Sequence, residues 1–101
     1  ESIKAQWDAW LRPEDRQMLL AIDIGNTNTV FALYEQETLI QNWRMQTVRA
    51  RSPDEYAAFL GNMCSLEGLA FKKITDVIIS SVVPETHFPV GRFCKKYLNI
   101  D

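Results

Sequence analysis

Asp23 is the only carboxylate in an otherwise apolar run, Leu19-Leu20-Ala21-Ile22-Asp23-Ile24. Small residues follow at once, Gly25, Asn26, Thr27, Asn28 and Thr29, before a second apolar run opens at Val30. A carboxylate near the end of a buried strand is costly unless it is paired, solvated or bound to a metal. Gly25 lets backbone or a phosphate approach closely and can adopt positive φ. The short side chains of Asn26, Thr27, Asn28 and Thr29 leave backbone N–H groups free to point inward, and successive N–H groups in a turn make a concave anion site. A carboxylate beside such a site can hold Mg²⁺ against the same phosphates, directly or through water. Read on spacing alone, the segment also fits a plain hairpin turn, because Asn and Gly are ordinary turn residues. The apolar context of Asp23 favours the phosphate reading.

Two better-known phosphate motifs are excluded. No Gly-Lys-Ser/Thr follows the turn, so it is not a Walker loop, and a strand rather than a helix comes next, so it is not a dinucleotide fingerprint. A second candidate is Ser80-Ser81, which interrupts an apolar strand near its C-terminal end, where clefts of open α/β sheets form. Their hydroxyls either line a cleft or are small residues packed under a helix. Neither has the His and Asp partners of a nucleophile. Asp54 and Glu55 read as helix-capping charges rather than acid–base groups. Arg44, Arg49 and Arg51 read as a solvated strand edge and loop, since the net charge of −2 gives no support for general nucleic-acid binding. Cys64 and Cys94 lack metal-ligand spacing and fall on apolar helix faces, as buried free thiols do in a reducing compartment. His87 has no matching ligand set.

Several elements must position Asp23 and its turn. At 47 % hydrophobic and 24 % charged, the chain has the make-up of one small folded domain. Residues 18–24 read as a strand buried on both faces. Residues 29–34 and 38–45 supply two more strands with short connections, an antiparallel meander. Ser52-Pro53-Asp54-Glu55 is a helix start, with Ser52 as cap, Pro53 in the first turn and Glu55 completing a capping box. Tyr56, Phe59, Leu60, Met63 and Cys64 then recur at helical spacing, and Gly68 lies past the helix end. Val77-Ile78-Ile79-Ser80-Ser81-Val82-Val83 reads as a fourth, buried strand stopped by Pro84, and a last helix carries Val90, Phe93, Cys94, Tyr97 and Leu98. The order β-β-β-α-β-α, with a meander, a crossover helix and a strand parallel to the first, is a ribonuclease H-like α/β pattern with a mixed sheet. Ahead of it, Ile3, Trp7, Trp10 and Leu11 share one helical face, ended by Pro13. Met18 would serve as a native start. Residues 1–17 are therefore expected to be an N-terminal extension, helical or non-native, or a docking face for a partner. No apolar run reaches membrane-span length and no signal segment opens the chain, so the cytoplasm is the expected compartment.

These residues closely resemble a known family. The run from Met18 through Asp23, Gly25, Asn26, Thr27, Asn28 and Thr29 to Tyr34 is similar to the opening of the type III pantothenate kinases. Trp43-Arg44 with Thr47, then Asp54-Glu55-Tyr56, resemble its next landmarks, and Ile78-Ile79-Ser80-Ser81-Val82-Val83-Pro84 resembles its third. The likeness covers residues 18–101. It implies an actin-like ATPase N-terminal lobe, truncated here, in the superfamily of acetate and sugar kinases, heat-shock chaperones and actin. It also implies ATP-dependent phosphorylation of pantothenate to 4′-phosphopantothenate, the first step of coenzyme A synthesis. By that resemblance Asp23, Ile24, Gly25, Asn26, Thr27, Asn28, Thr29 and Val30 form the first phosphate-binding motif. Asp23 would hold the metal–phosphate complex. The implied cofactors are ATP, Mg²⁺ or another divalent cation, and K⁺ or NH₄⁺; the implied assembly is a homodimer, with no nucleic-acid or membrane partner. The family's Gly-x-Asp-Arg segment, with the catalytic base and pantothenate contacts, falls beyond Asp101, so no catalytic residue is expected within this chain. A non-catalytic regulatory relative and an interaction module are the alternatives.

Overall fold

The computed structural model describes residues 17–101. Apart from Gln17, the extension expected over residues 1–17, with its Trp7 and Trp10 face, lies outside the described residues.

Strand β1 (Met18–Ile24) sits inside a four-stranded sheet with order β3-β2-β1-β4. It pairs antiparallel with β2 (Asn28–Glu35), which pairs antiparallel with β3 (Thr38–Gln46). On its other side β1 pairs parallel with β4 (Ile74–Ser81). A parallel neighbour requires a long crossover, and α1 (Pro53–Leu66) supplies it. Helix α1 starts where its sequence dictates: Glu55 N donates to Ser52 Oγ at 3.2 Å, Ser52 N donates to Glu55 Oε1 at 2.9 Å, and Pro53 stands in the first turn. Its end is equally local. Gly68 takes φ 70°, which lets Leu69 N reach Cys64 O at 2.8 Å and Gly68 N reach Ser65 O at 3.1 Å, the Schellman arrangement that satisfies the last carbonyls.

The core lies between one face of the sheet and the helices. Met18, Leu20, Ile22 and Ile24 of β1, and Phe31 and Leu33 of β2, meet Tyr56, Leu60 and Cys64 of α1 and Val90 and Phe93 of α2 (His87–Phe93). Phe31 packs edge-on against Tyr56 at 6.4 Å, and Phe93 lies 6.3 Å from Tyr56. After Phe93 the helix widens into a π-type turn, Cys94–Leu98, which ends at left-handed Asn99 (φ 59°). The last expected helix is thus divided into a 3₁₀ turn (Pro84–Thr86), α2 and this π turn. Cys64 and Cys94 are free and buried, and burial pushes both thiols up, Cys64 to about 11.

Two expectations about burial are corrected. Residues 18–24 are not covered on both faces: Leu19 and Ala21 are half-buried and Asp23 is exposed. The fourth strand is not buried either, with Ile78 59 % and Ile79 41 % exposed. Both follow from the layering. Among the described residues the helices cover one sheet face only, and β4 is an edge strand. The opposite face carries Leu19, Ala21, Val30, Ala32 and Ile78 in register, half-buried or exposed. No described helix is long and apolar enough to cross a membrane.

Candidate functional site

The strand register brings four side chains into one row on the open face. Asp23 pairs with Val30 on one side and Ser80 on the other, and Val30 pairs in turn with Arg44. Residues that pair across neighbouring strands share a face, so the row runs Arg44, Val30, Asp23, Ser80 across the sheet. It lies at the C-terminal end of the parallel pair β1–β4, the end at which open α/β sheets present their ligand clefts. The Asp23 carboxylate has no hydrogen-bond or ion-pair partner among the described residues, and neither has the Arg44 guanidinium. Sequence reasoning set Arg44 aside as a solvated edge; its place in the row comes from the register of β3, which no local pattern reveals.

Four carbonyls at the turn after β1 are engaged within the protein. Ile24 O accepts from Val82 N at 3.1 Å, Thr27 O from Thr47 N at 2.8 Å, and Asn28 O from Gly25 N at 2.9 Å. Gly25 O accepts from the Thr47 hydroxyl at 2.8 Å. The Asn26 and Thr27 amides, by contrast, have no acceptor among the described residues. Where the Ile24, Gly25, Thr27 and Asn28 carbonyls are engaged and the Asn26 and Thr27 amides are not, those two amides supply positive potential, the requirement for an anion cradle. Asn26, Thr27 and Asn28 are exposed around it.

Gly25 serves the turn in a different way from the one expected. It does not adopt positive φ; among described glycines only Gly68 does. A Cβ at Gly25 would stand 3.3 Å from Asn28 O, tighter than ordinary contact. The glycine therefore permits the close approach that its own N–H···O bond to Asn28 needs. The remaining motif residues divide between the two sides of the sheet. Ile24 and Thr29, each 1 % exposed, point their side chains into the core, so only their backbone is available to a ligand. Val30 is half-buried on the open face beside Asp23.

Ser80 and Ser81 have opposite fates. Ser80 is exposed next to Asp23. Ser81 belongs to the turn that follows β4: its Oγ accepts from Val83 N at 3.0 Å and lies 3.1 Å from Thr86 Oγ1, which donates to Val83 O at 2.7 Å. Asp54 and Glu55 stay at the helix start. Glu55 is held below the ordinary carboxylate range by the Ser52 backbone and hydroxyl, and Asp54 by the Tyr97 hydroxyl and then the Lys96 ammonium. Arg49 pairs with Glu85 and Arg51 approaches Glu55, so neither faces the loop as a free cation.

Among the described residues no three His, Cys, Asp or Glu side chains gather to hold a metal. Asp23 alone fits a cation that takes one carboxylate from the protein and its other oxygens from water and phosphate, the usual habit of Mg²⁺. A surface basin of about 360 Å³ lies along α2 and the turn after it, at His87, Phe88, Arg92 and Lys95. The loop itself is a ledge, one wall without an opposing one among the described residues.

Comparison with known proteins decides the family. The sequence profile of the type III pantothenate kinases matches residues 19–101, from β1 to the end of the chain. The chain belongs to the type III pantothenate kinase family. A type III pantothenate kinase of Syntrophotalea carbinolica is 52 % identical over 81 residues, 80 % of this chain and 32 % of its own length. The enzyme so named from Halalkalibacterium halodurans is 45 % identical over 83 residues, 82 % of this chain and 33 % of its own. That of Caulobacter vibrioides is 43 % identical over 84 residues. The chain thus spans about a third of the length of these pantothenate kinases. Asp23, the loop, Thr47 and the Ser80 strand end all fall inside the matched span.

Proposed function

We propose that residues 18–101 are the N-terminal, ribonuclease H-like lobe of a type III pantothenate kinase, and that their task is to hold the phosphates of ATP. The transfer served would be that of the γ-phosphate to pantothenate, in the cytoplasm, by a protein of full family length acting as a homodimer. One observation carries the reading: an exposed carboxylate, without a partner among the described residues, stands beside a loop whose Gly25 and Thr27 carbonyls are tied to Thr47 and whose Asn26 and Thr27 amides have no acceptor among the described residues.

In this reading the Asn26 and Thr27 amides receive phosphate oxygens, with the side chains of Asn26, Thr27 and Asn28 around them. Asp23 holds Mg²⁺ or another divalent cation against the phosphates; bound there, the cation offsets charge that builds up during transfer. Arg44 and Ser80 flank Asp23 in the same row and add a cationic and a hydroxyl contact to that face. The sites for K⁺ or NH₄⁺, the base and the pantothenate contacts are assigned to the remainder of a full-length family member, as the family resemblance implies.

The test is product formation by the protein of full family length, supplied with ATP, Mg²⁺, K⁺ and pantothenate. Formation of 4′-phosphopantothenate with matched ADP release supports the proposal. Binding of ATP·Mg²⁺ without product would identify a regulatory relative, and no ATP binding at all would reduce the loop to a hairpin turn.

A further inference from the structure

Thr47 is the first residue after β3, and three hydrogen bonds join it to the loop. Its amide donates to Thr27 O at 2.8 Å. Its hydroxyl donates to Gly25 O at 2.8 Å and lies 2.8 Å from the hydroxyl of Thr29. A threonine hydroxyl has one proton. Since that of Thr47 goes to a carbonyl, which can only accept, the contact with Thr29 is made by the Thr29 proton. The direction of the relay is thereby fixed: Thr29 Oγ1–H to Thr47 Oγ1, and Thr47 Oγ1–H to Gly25 O. Thr29 is 1 % exposed, so its hydroxyl has Thr47 as its outlet and is spent before it could serve a phosphate.

From this geometry we infer that Thr47 is a positioning residue for the ATP-phosphate loop, an inference that rests on the phosphate-site reading above. Thr47 anchors the two carbonyls, Gly25 and Thr27, that bracket the Asn26 peptide unit. A peptide unit is rigid, so a carbonyl fixed inward fixes the next amide outward. Holding Gly25 O inward orients the Asn26 amide, and the bond to Thr27 O closes the other side. Without the hydroxyl, the loop keeps its own Gly25 N to Asn28 O bond and the two backbone tethers from Thr47 and Val82. Gly25 O, now unsatisfied, is then free to swing toward the ligand, where it would repel a phosphate that the inward orientation lets the amides attract.

The consequence is selective. A loosened loop weakens the ATP side of the reaction, whereas general loss of fold lowers the amount of active enzyme and so reduces kcat, leaving both KM values unchanged. Thr47→Val keeps the shape and removes the hydroxyl; Thr47→Ala removes it without branched bulk; Thr47→Ser restores it. In the protein of full family length, Thr47→Val and Thr47→Ala should raise KM for ATP by about tenfold, with KM for pantothenate within about twofold of the parent. Thr47→Ser should return KM for ATP to within about threefold of the parent. If Thr47→Val misfolds on melting, Thr47→Ala carries the same prediction. An unchanged KM for ATP, an equal rise for both substrates, a loss confined to kcat, or a Thr47→Ser as impaired as Thr47→Val each overturns the inference. Asp23→Asn in the same assay separates the two levels: unchanged ATP kinetics there would sink the phosphate-site reading, while an impaired Asp23→Asn beside a normal Thr47→Val sinks only the role of Thr47.

Discussion

Asp23→Asn should separate activity from stability, and the structure sets both magnitudes. The side chain is exposed at the end of β1, with no hydrogen bond or ion pair among the described residues. Surface substitutions of that kind stay within about 0.5 kcal/mol. For a domain of the size described here that is a shift in Tm of no more than about 4 °C. Binding is another matter. A unit charge about 4 Å from a unit counter-charge is worth about 1 kcal/mol in bulk water and about 4 kcal/mol near a protein surface. An open ledge facing a triphosphate lies between these limits, so removing the carboxylate from the cation should cost about 2 kcal/mol, or roughly 30-fold in kcat/KM for ATP. The assay is ADP release with pantothenate saturating and ATP·Mg²⁺ varied, alongside a thermal melt of the same preparation. Raising Mg²⁺ should recover part of the loss, because the defect lies in holding the cation. A kcat/KM for ATP within threefold of the parent would refute the placement of the metal. So would a Tm falling by 8 °C or more, since Asp23 would then be structural.

The fold and its charges yield three further expectations. Ser52→Ala opens the capping box of α1 and should destabilise by about 1 kcal/mol in a urea melt, while Ser52→Asp should restore most of it. Leu20→Ala empties a core position of β1 at 0 % exposure, so a loss of about 2–5 kcal/mol is expected from the same measurement. Asp54, held low by Tyr97 and Lys96, has a folded pKa below its ordinary 3.8. Its contribution to stability is present above that value and is lost as pH falls through the lowered folded one. The gap between parent and Asp54→Asn in urea midpoint should therefore be full at pH 6 and close progressively on acidification below about pH 4. A gap that widens in acid would contradict this sign.

What could be read from the chain is what local chemistry controls. Ser52, Pro53 and Glu55 specify the start of α1 because a cap is made within four residues. Gly68 specifies its end for the same reason. The connections around residues 25–27 and 36–37 were legible as turns between apolar runs. Faces were not. Leu19-Leu20-Ala21-Ile22 is apolar at every position, so its period cannot say whether one side or two are covered; that depends on which helices arrive, a matter of tertiary layering. The same gap made Ile78 and Ile79 read as buried when β4 is an edge among the described residues. Its true start at Ile74 was hidden by two polar residues, Thr75, which falls at an irregularity of the ladder without a β1 partner, and Asp76, which pairs with Leu19. Within the site, Asp23 and the turn stood out by composition, but the division of Ser80 from Ser81 depends on which one the turn after β4 recruits. Thr47 is silent locally: a lone threonine after a strand gives no sign that three hydrogen bonds tie it to a loop twenty residues upstream.

On the proposed reading, the described residues supply one side of a phosphate site, and the remaining parts of a transfer site are expected from the rest of a protein of full family length. Phosphoryl transfer is positioning plus charge stabilisation between two in-line oxygens, and both walls of the cleft contribute. The ledge offers amides, one carboxylate and one arginine without an ion-pair partner among the described residues. A base for the acceptor hydroxyl contributes about 10²–10⁴ to the rate, and an opposing set of charge-stabilising donors about 10²–10³. A polypeptide of these 101 residues should therefore fall short of the full-length kinase by at least about 10⁴ in turnover, even where the fold survives. Pantothenate-dependent ADP release by this polypeptide, at rates within a hundredfold of a protein of full family length, would show that the base lies among these 101 residues after all. Asp23, the one carboxylate of its row among the described residues, would be the first candidate.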